Sequence, residues 1–421
     1  MNFILICLHS LDMRDFHSYM RETPFLDDLR SNSIYIPMGR GQGHHQRDSL
    51  NAEITGIWTA RFCNSRLTPQ GYVRPTEFWL PKTIIEYLKE NDYDIFTCMY
   101  GGLDNMGSAA VSVGMRDLWL KNQPERLEQF RSPKTMTRAE ALSYIKESKR
   151  FYAHFILRET HRPWSQNEGL GAIVGKPPGT YPSDAFCARK AALDRPDEFA
   201  ALRRRGLAKA DKIVNEIFEE TRELKNVTYL VYSNHGEVFD HFRYNLPYKN
   251  DGTNMIRGTS HGPLPYEVLY ANMQMWIIPN LMPRTITGIG RSIDIAPTIL
   301  ELAEINHNGP LDGESMMSHF KNGAFPERDR YAETGKGSGM SMVRKDGFKL
   351  VSTGLTTSDS EDGELYGPDY HRVAVFDLKS DPYEYVNLAN TDRGQEVIEW
   401  AVITHRELKK NQHLYKYSLT D

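Results

Sequence analysis

Short apolar runs alternate with longer amphipathic stretches through the first three quarters of the chain. The apolar runs predict buried β-strands over 3–8, 94–100, 151–157, 227–232 and 274–278. Between them, apolar residues spaced three and four positions apart predict helices over 23–33, 49–59, 83–90, 198–224 and 293–302. Strands that alternate with helices are typical of a mainly parallel sheet with both faces covered.

The pattern changes after about residue 325. Residues 341–353 and 371–380 alternate apolar and polar positions, as antiparallel strands do, and 394–412 has helical spacing. We therefore predict an α/β protein. An α/β/α sandwich with a mainly parallel central sheet would occupy 1–325, and a small C-terminal α+β subdomain with a terminal helix would occupy 326–421.

Composition narrows the class of protein. The chain has 421 residues, of which 40% are hydrophobic and 25% charged, as expected for a globular protein with a substantial core. A net charge of −4 gives no reason to expect nucleic acid or an anionic membrane as a partner. The four cysteines show no CxxC spacing, which predicts reduced thiols.

The apolar start of the chain is too short for a membrane span and differs from a signal peptide. Its apolar run covers only about six residues, with no basic segment before it and no small-residue cleavage site after it. No later stretch approaches the length that a bilayer requires. We expect a first strand, no membrane span and a cytoplasmic protein, and a homo-oligomer is compatible with the sequence.

Polar side chains follow three of the predicted strands. His9 and Ser10 come after the first, His161 after the third, and the pair Asn234-His235 after the fourth. In open α/β sheets, ligands bind beyond the carboxyl ends of the strands, where these residues would meet.

Two further segments bring polar groups that we expect at the same edge. GRGQGHHQRDS supplies His45, Arg47 and Ser49, and SHG supplies His261. Taken singly, a histidine after a strand is usually a hydrogen-bonded loop residue, and the glycines of GQG serve turns more often than anions. Because the chain has only 14 histidines, their concentration at one edge favours a metal site.

Longer segments resemble a known family. They read, in chain order, FILICLHSLDMRD, TPFLDDLRSNSIYI, AEITGIW, FILRETHRPW, YLVYSNHGE, SHGPLPYEVLYANMQMWIIPN, IDIAPTILELAEI and VFDLKSDPYEYVNLAN. These resemble the motifs of the sulfatase branch of the alkaline phosphatase superfamily, over roughly residues 2–390. The resemblance implies a parallel-rich α/β/α core, a small C-terminal subdomain, and a metal-dependent hydrolase.

The chain departs from the family at its catalytic positions. The family's nucleophile, a Cys or Ser in CxPSR that becomes formylglycine, falls on Gln46. Its GKxH sulfate-binding element falls on GGLD at 101–104. Acidic metal ligands of the first strand fall on His9 and Ser10, and the Asp of SDHGE is Asn234, although His235 is retained. We therefore do not expect sulfate-ester hydrolysis by the formylglycine route.

Ser49 is the nearest hydroxyl to the missing nucleophile. Superfamily phosphatases and phosphotransferases use Ser or Thr, and SLNAE loosely resembles the TSDAEF of lipoteichoic-acid-synthase-like transferases. Ser49 is equally well placed to be the N-cap of the helix predicted at 49–59. Both interpretations stay open.

The ligand set implied by the resemblance is His9, Asn234 and His235, with His45 nearby. Nitrogen-rich ligation favours zinc, with manganese or iron as alternatives, whereas calcium prefers oxygen. His161 and Arg47 would contact an anionic substrate, and His261 would be a further catalytic residue.

Two functions fit this sequence. The first is a metal-dependent hydrolase or transferase acting on a small phosphate, phosphonate or related anionic ester, with Ser49 or a water as nucleophile. The alternative is a catalytically inactive member of the fold that serves as a binding or partner subunit. We favour the enzyme because the replaced residues are mostly good ligands.

Overall fold

The protein's structure is a computed structural model. It describes residues 1–11, 16–17, 20–43, 46–63, 65–73, 79, 81–99, 137–161, 196–236, 267–333, 339–353, 373–382 and 384–415. Of the predicted site residues, His45 and His261 lie outside these ranges, as does the GGLD segment.

A central mixed sheet of eight strands forms the core. Its strands are β1 (Asn2–Leu8), β2 (Ile34–Arg40), β5 (Asp94–Met99), β6 (Phe151–Leu157), β7 (Val227–Ser233), β8 (Ala271–Ile277), β9 (Arg284–Thr285) and β10 (Gly290–Arg291). They are ordered β10-β2-β8-β7-β1-β6-β5, with β9 also paired to β2. The five predicted strands are confirmed as β1, β5, β6, β7 and β8.

Most of this sheet is parallel. Strands β5, β6, β1 and β7 pair in parallel, and β8 runs antiparallel between β7 and β2. The carboxyl ends of β1, β2, β5, β6 and β7 therefore meet at one edge of the sheet. This arrangement confirms the predicted mainly parallel α/β architecture.

Helices cover both faces of the sheet. The helices in the described ranges are α1 (Pro24–Ser31), α2 (Gln46–Thr55), α3 (Ile84–Lys89), α4 (Arg138–Glu147), α5 (Pro196–Thr221), α6 (Glu267–Tyr270), α7 (Ile295–Leu302), α8 (Met317–Asn322) and α9 (Asp392–Leu408). Of these, α9 packs against a second sheet instead. Side chains of β1 alternate between the two faces. Phe3 and Leu5 pack with α2, α3 and α7, whereas Ile4 and Ile6 pack with α1, α4 and α5. Apolar residues on both sides of the strand thus explain its unbroken hydrophobic run.

A second, antiparallel sheet follows in the C-terminal part. Its strands β11 (Arg330–Glu333), β12 (Gly339–Val343), β13 (Phe348–Thr353) and β14 (Val373–Asp377) pair in sequence order. Its buried face packs in one cluster with α9 and with residues from 52 to 72. The predicted small antiparallel subdomain with a terminal helix is confirmed, while its boundary at residue 325 remains a prediction.

The start of α2 differs from the sequence prediction. The helix begins at Gln46 rather than at Ser49, so Ser49 lies inside the first turn. The N-cap interpretation of Ser49 is therefore wrong. A short antiparallel hairpin of β3 (Arg66–Thr68) and β4 (Gly71–Val73), which the sequence pattern did not predict, follows this region.

No helix in the described ranges is both long and apolar enough to cross a bilayer. Cys7 and Cys63 lie buried as thiols, in agreement with the predicted reduced state.

Candidate active site

The carboxyl ends of three adjacent parallel strands bring predicted site residues together. Cys7 of β1 pairs with Tyr232 of β7 and with Ile156 of β6, so the residues that follow these strands emerge side by side. The hydroxyl of Thr160 donates to the carbonyl oxygen of His9 at 2.6 Å and fastens the β6 turn to the β1 turn.

Three imidazoles meet at this edge. The ring of His9 stacks on that of His161 with a centroid distance of 4.4 Å, and it meets the ring of His235 edge-on at 5.3 Å. All three side chains are buried. The structure therefore joins His9, His161 and His235, which the sequence placed at the ends of three different strands.

The proton on His235 sits on a defined nitrogen. Nδ1 lies 2.8 Å from the carbonyl oxygen of Gly236, and because a carbonyl can only accept, Nδ1 carries the hydrogen. Nε2 is then the acceptor nitrogen of the ring, and it lies 3.4 Å from the hydroxyl oxygen of Ser10. Burial lowers the pKa of His235 to about 4, so the ring is neutral at physiological pH. A neutral imidazole oriented by a backbone carbonyl is the usual form of a histidine that binds a metal or accepts a proton.

Asn234 uses its oxygen to hold the two turns. Its Oδ1 accepts the backbone N–H of Ser10 at 3.1 Å and that of His235 at 3.0 Å. Ser10 itself has φ 61°, a left-handed conformation that is uncommon outside glycine, and this contact stabilises it. The amide nitrogen Nδ2 is buried and has no hydrogen-bond partner among the described residues. Asn234 thus places one unused N–H₂ donor in the site.

Ser49 approaches the same turn from α2. Its Oγ donates to the carbonyl oxygen of Gly43 at 2.7 Å. A Cβ added at Gly41 would lie 2.5 Å from the carbonyl oxygen of Asn234 and 3.5 Å from Ser49 Oγ. The loop before α2 therefore runs against Asn234, and only glycine fits at position 41. This close approach explains the first glycine of GQG without a bound anion.

The remaining predicted residues have less structural support. Arg47 lies in the first turn of α2, near Ser49 in sequence, and Gln46 is the first residue of that helix. His45 and His261 belong to the stretches outside the described ranges.

The side chains at this edge supply part of a metal site. Within the ranges that the structure covers, no set of three or more His, Cys, Asp and Glu side chains is arranged to hold an ion. The acceptor nitrogen Nε2 of His235 is of the type that binds a metal, and the ring of His9 lies edge-on to this imidazole. Oδ1 of Asn234 already accepts two N–H groups. The donor set fits a nitrogen-preferring ion at His235, completed by ligands from elsewhere, and does not fit an oxygen-lined calcium site.

One buried acid close to the site, Glu53, was not predicted from the sequence. Glu53 lies on the face of α2 that carries Leu50 and Ile54, and its carboxyl contacts the hydroxyl of Tyr232 at 2.9 Å. The sequence signal was an acid at helical spacing between two core residues, a position that normally holds an apolar side chain.

Comparison with known proteins agrees with this architecture. Residues 1–305 match the family model described as sulfatase. Among curated proteins, none matches the chain significantly.

Solved structures share the fold over nearly the whole chain. One is BT4656 in complex with its substrate D-glucosamine-2-N,6-O-disulfate, with a TM-score of 0.62 and 14% identity over 99% of both chains. Another is the phosphonate monoester hydrolase of Agrobacterium radiobacter, with a TM-score of 0.59 and 13% identity over 98% of this chain and 96% of that one. A protein of the alkaline phosphatase superfamily from Vibrio parahaemolyticus has a TM-score of 0.57 and 15% identity, over 99% and 88%. Since the family model spans well over half of the chain, the protein belongs to the sulfatase family.

Proposed function

We propose that this protein is a metal-dependent hydrolase or transferase acting on a phosphate, phosphonate or related anionic ester, and not a formylglycine sulfatase. Gln46 stands where the resemblance places the formylglycine precursor, and an amide side chain is not a nucleophile. The known fold is compatible with either ester class, because a structure similar to this chain is a phosphonate monoester hydrolase.

The observation that carries the proposal is the set of imidazole, amide and hydroxyl side chains that meet at the site. His9, Ser10, His161, Asn234 and His235 are all buried, and none of these side chains is an acid. An anionic ester entering this edge would meet N–H and O–H donors on these five side chains. The unused Nδ2 of Asn234 would donate to an ester oxygen, so we assign Asn234 to the substrate rather than to the metal.

We assign His235 and His9 to the metal, with His45 as a further ligand. Zinc is favoured, with manganese or iron as alternatives. When bound, the ion supplies positive charge that attracts the anion and acidifies an attacking hydroxyl or water.

Ser49 is the proposed nucleophile. Its hydroxyl donates to Gly43, so the hydrogen bond to that carbonyl has to break before the oxygen can lose its proton. His161 and Arg47 are proposed to contact the anion, and His261 to complete the catalytic set.

A specific observation favours a second candidate, a catalytically inactive binding or partner protein. Ser49 Oγ points its proton at a carbonyl, which cannot act as a base, and the described residues alone do not complete a metal site. The two candidates differ in turnover and in metal content.

The test combines metal analysis with an activity assay. Purified protein would be analysed by elemental mass spectrometry and assayed with aryl phosphate monoesters and diesters and an aryl sulfate. We expect stoichiometric metal and phosphate-ester turnover above sulfate-ester turnover. Absence of both metal and turnover, with zinc and manganese added, would establish the inactive candidate, and faster sulfate turnover would contradict the interpretation of Gln46.

Matched variants assign the roles. Ser49→Ala should abolish turnover, whereas the exposed Ser143→Ala should not change it. His9→Ala should lower both metal content and turnover, with the exposed His413→Ala as its control. If turnover survives Ser49→Ala but not His9→Ala, a water replaces Ser49 as nucleophile.

A further inference from the structure

A buried polar network lies directly beneath the candidate site. The carboxyl of Glu53 on α2 contacts the hydroxyl of Tyr232 on β7 at 2.9 Å, and that hydroxyl lies 3.0 Å from Nε2 of His154 on β6. Tyr232 comes two residues before Asn234, and Glu53 follows Ser49 by one helical turn. The network therefore joins the helix that carries Ser49 to two of the strands that end in the site.

We propose that Glu53 is a positioning residue which, as an uncharged carboxylic acid, holds the first turns of α2 against β7 and so fixes Ser49 relative to Asn234 and His235. Its influence on turnover rests on the function proposed above, whereas its protonation state and its contribution to the fold do not.

The surroundings of Glu53 oppose a negative charge. The titratable groups that face it are Cys7 on β1, Tyr152 and His154 on β6, and Tyr232 on β7. None of these is a cation, because burial also lowers the pKa of His154 to about 4 and keeps its ring neutral. Burial raises the pKa of Glu53 to about 8, although the Tyr232 hydrogen bond acts in the opposite direction.

Unused hydrogen-bonding capacity supports the neutral form. Glu53 Oε1, Tyr152 Oη and His154 Nδ1 are buried and make no hydrogen bond to described residues. The Tyr232 hydroxyl is the one donor to Glu53 among the described residues, so a buried carboxylate here would lack most of the hydrogen bonds that water gives it, and the uncharged acid is favoured. The network thus surrounds a neutral Glu53, which loses its proton at alkaline pH.

Two pH windows follow from this arrangement. The unfolded chain releases the Glu53 proton near its ordinary pKa, about 4.3, while the folded protein retains it up to about pH 8. Since the folded state binds the extra proton, this group's stabilising contribution is complete below the unfolded pKa and is lost as pH rises to the folded pKa. Above about pH 8 the carboxylate forms in the folded protein, and the position of α2 is disturbed.

The experiment compares the wild-type protein with Glu53→Gln, which keeps a neutral hydrogen-bonding side chain of the same shape. Glu86→Gln is the control, because Glu86 is also a buried glutamate but caps its own helix α3 through Thr83. Melting temperatures would be measured from pH 5 to pH 8. As pH rises from 5 to 8, the melting temperatures of the wild type and of Glu86→Gln should fall by more than that of Glu53→Gln. Coincident pH profiles for all three proteins would overturn the proposal.

Turnover of an aryl phosphate gives the second readout. Above pH 8 the wild-type and Glu86→Gln kcat should fall by about tenfold per pH unit, with a smaller change in KM, and Glu53→Gln should remove this fall. An alkaline fall that persists in Glu53→Gln would refute the positioning role. If no variant turns over, the proposed function fails, and the melting profiles alone decide whether Glu53 is held as a neutral acid.

Discussion

Replacing Lys349 should lower the free energy of unfolding strongly. It lies on β13, an inner strand of the C-terminal sheet, and its Nζ is 2.7 Å from Glu384 and 3.3 Å from Glu267. Glu267 also pairs with Arg40 at the end of β2 and with Arg330 on β11. The cluster therefore joins the C-terminal sheet to the edge of the central sheet where the candidate site lies.

Burial sets the size of the effect. The side chains of Lys349 and Glu384 are 0% and 1% exposed, so removing the cation leaves a carboxylate that water cannot reach. Breaking a buried pair in this way costs about 3–5 kcal/mol. The pair of Lys146 and Glu220, at 2.6 Å with 46% and 55% exposure, should contribute far less, because water solvates both charges.

Lys349→Met and Lys146→Met test this difference with the same chemical change. Urea denaturation should give a loss in the free energy of unfolding of about 3–5 kcal/mol for Lys349→Met and a much smaller loss for Lys146→Met. Burial already raises the pKa of Glu384, so in Lys349→Met this carboxyl can take up a proton and the loss should shrink between pH 8 and pH 5. Equal losses in both variants, or a loss for Lys349→Met of less than about 1 kcal/mol, would refute the reasoning from burial.

Two further predictions concern packing and pH. A Cβ at Gly236 would lie 2.2 Å from the carbonyl oxygen of Val268, so Gly236→Ala should cost about 1–3 kcal/mol in urea denaturation. In the control Gly323→Ala the added Cβ meets no atom within 4 Å, so this change should cost only about 1 kcal/mol, because of its φ of +83°. Equal losses of stability in the two variants would show that the contact with Val268 does not determine the cost at Gly236. Burial lowers the pKa of His405 to about 4, so the unfolded chain takes up a proton first and stability falls as pH drops from 6.5 to 4, by up to about 3 kcal/mol. His405→Phe should flatten that acid loss and the exposed His413→Phe should not, and identical pH profiles would exclude His405 as its source.

The strands that flank the site were predictable from the sequence because both of their faces are buried. The prediction for 151–157 agrees with β6 at both ends, and the prediction for 3–8 differs from β1 by one residue. Strand β2 was not predicted as a strand. It contains Pro37 and Gly39, and its pairing with β8 shifts register between Ile36 and Gly39, so its apolar pattern is interrupted.

The start of α2 shows where local pattern fails. Gln46, Arg47 and Asp48 are polar, and hydrophobic spacing cannot distinguish a polar first turn from a loop. Ser49 looked like a cap because Ser is common there, but its hydroxyl bonds back to the carbonyl of Gly43. A serine inside the first turn can do this as readily as one at the N-cap position.

The meeting of His9, His161, Asn234 and His235 followed from strand order, which parallel alternation made predictable. Their individual roles did not follow. The tautomer of His235 depends on the carbonyl of Gly236, and the use of the Asn234 oxygen depends on two backbone N–H groups. Such contacts are set by side-chain rotamers and turn geometry, which the residue types alone do not determine.

The site and the network below it have a common electrostatic character. An imidazole and an amide, those of His9 and Asn234, stand where the resemblance places acids, and Glu53 is an acid held without its charge. A cation bound at His235 would therefore keep its full charge toward a substrate, because no carboxylate among these residues neutralises it. Formation of the Glu53 carboxylate at alkaline pH would place a negative charge one helical turn from Ser49, opposing both an anionic substrate and the packing of α2. The same protonation event thus links the stability of the fold to the electrostatics of the site.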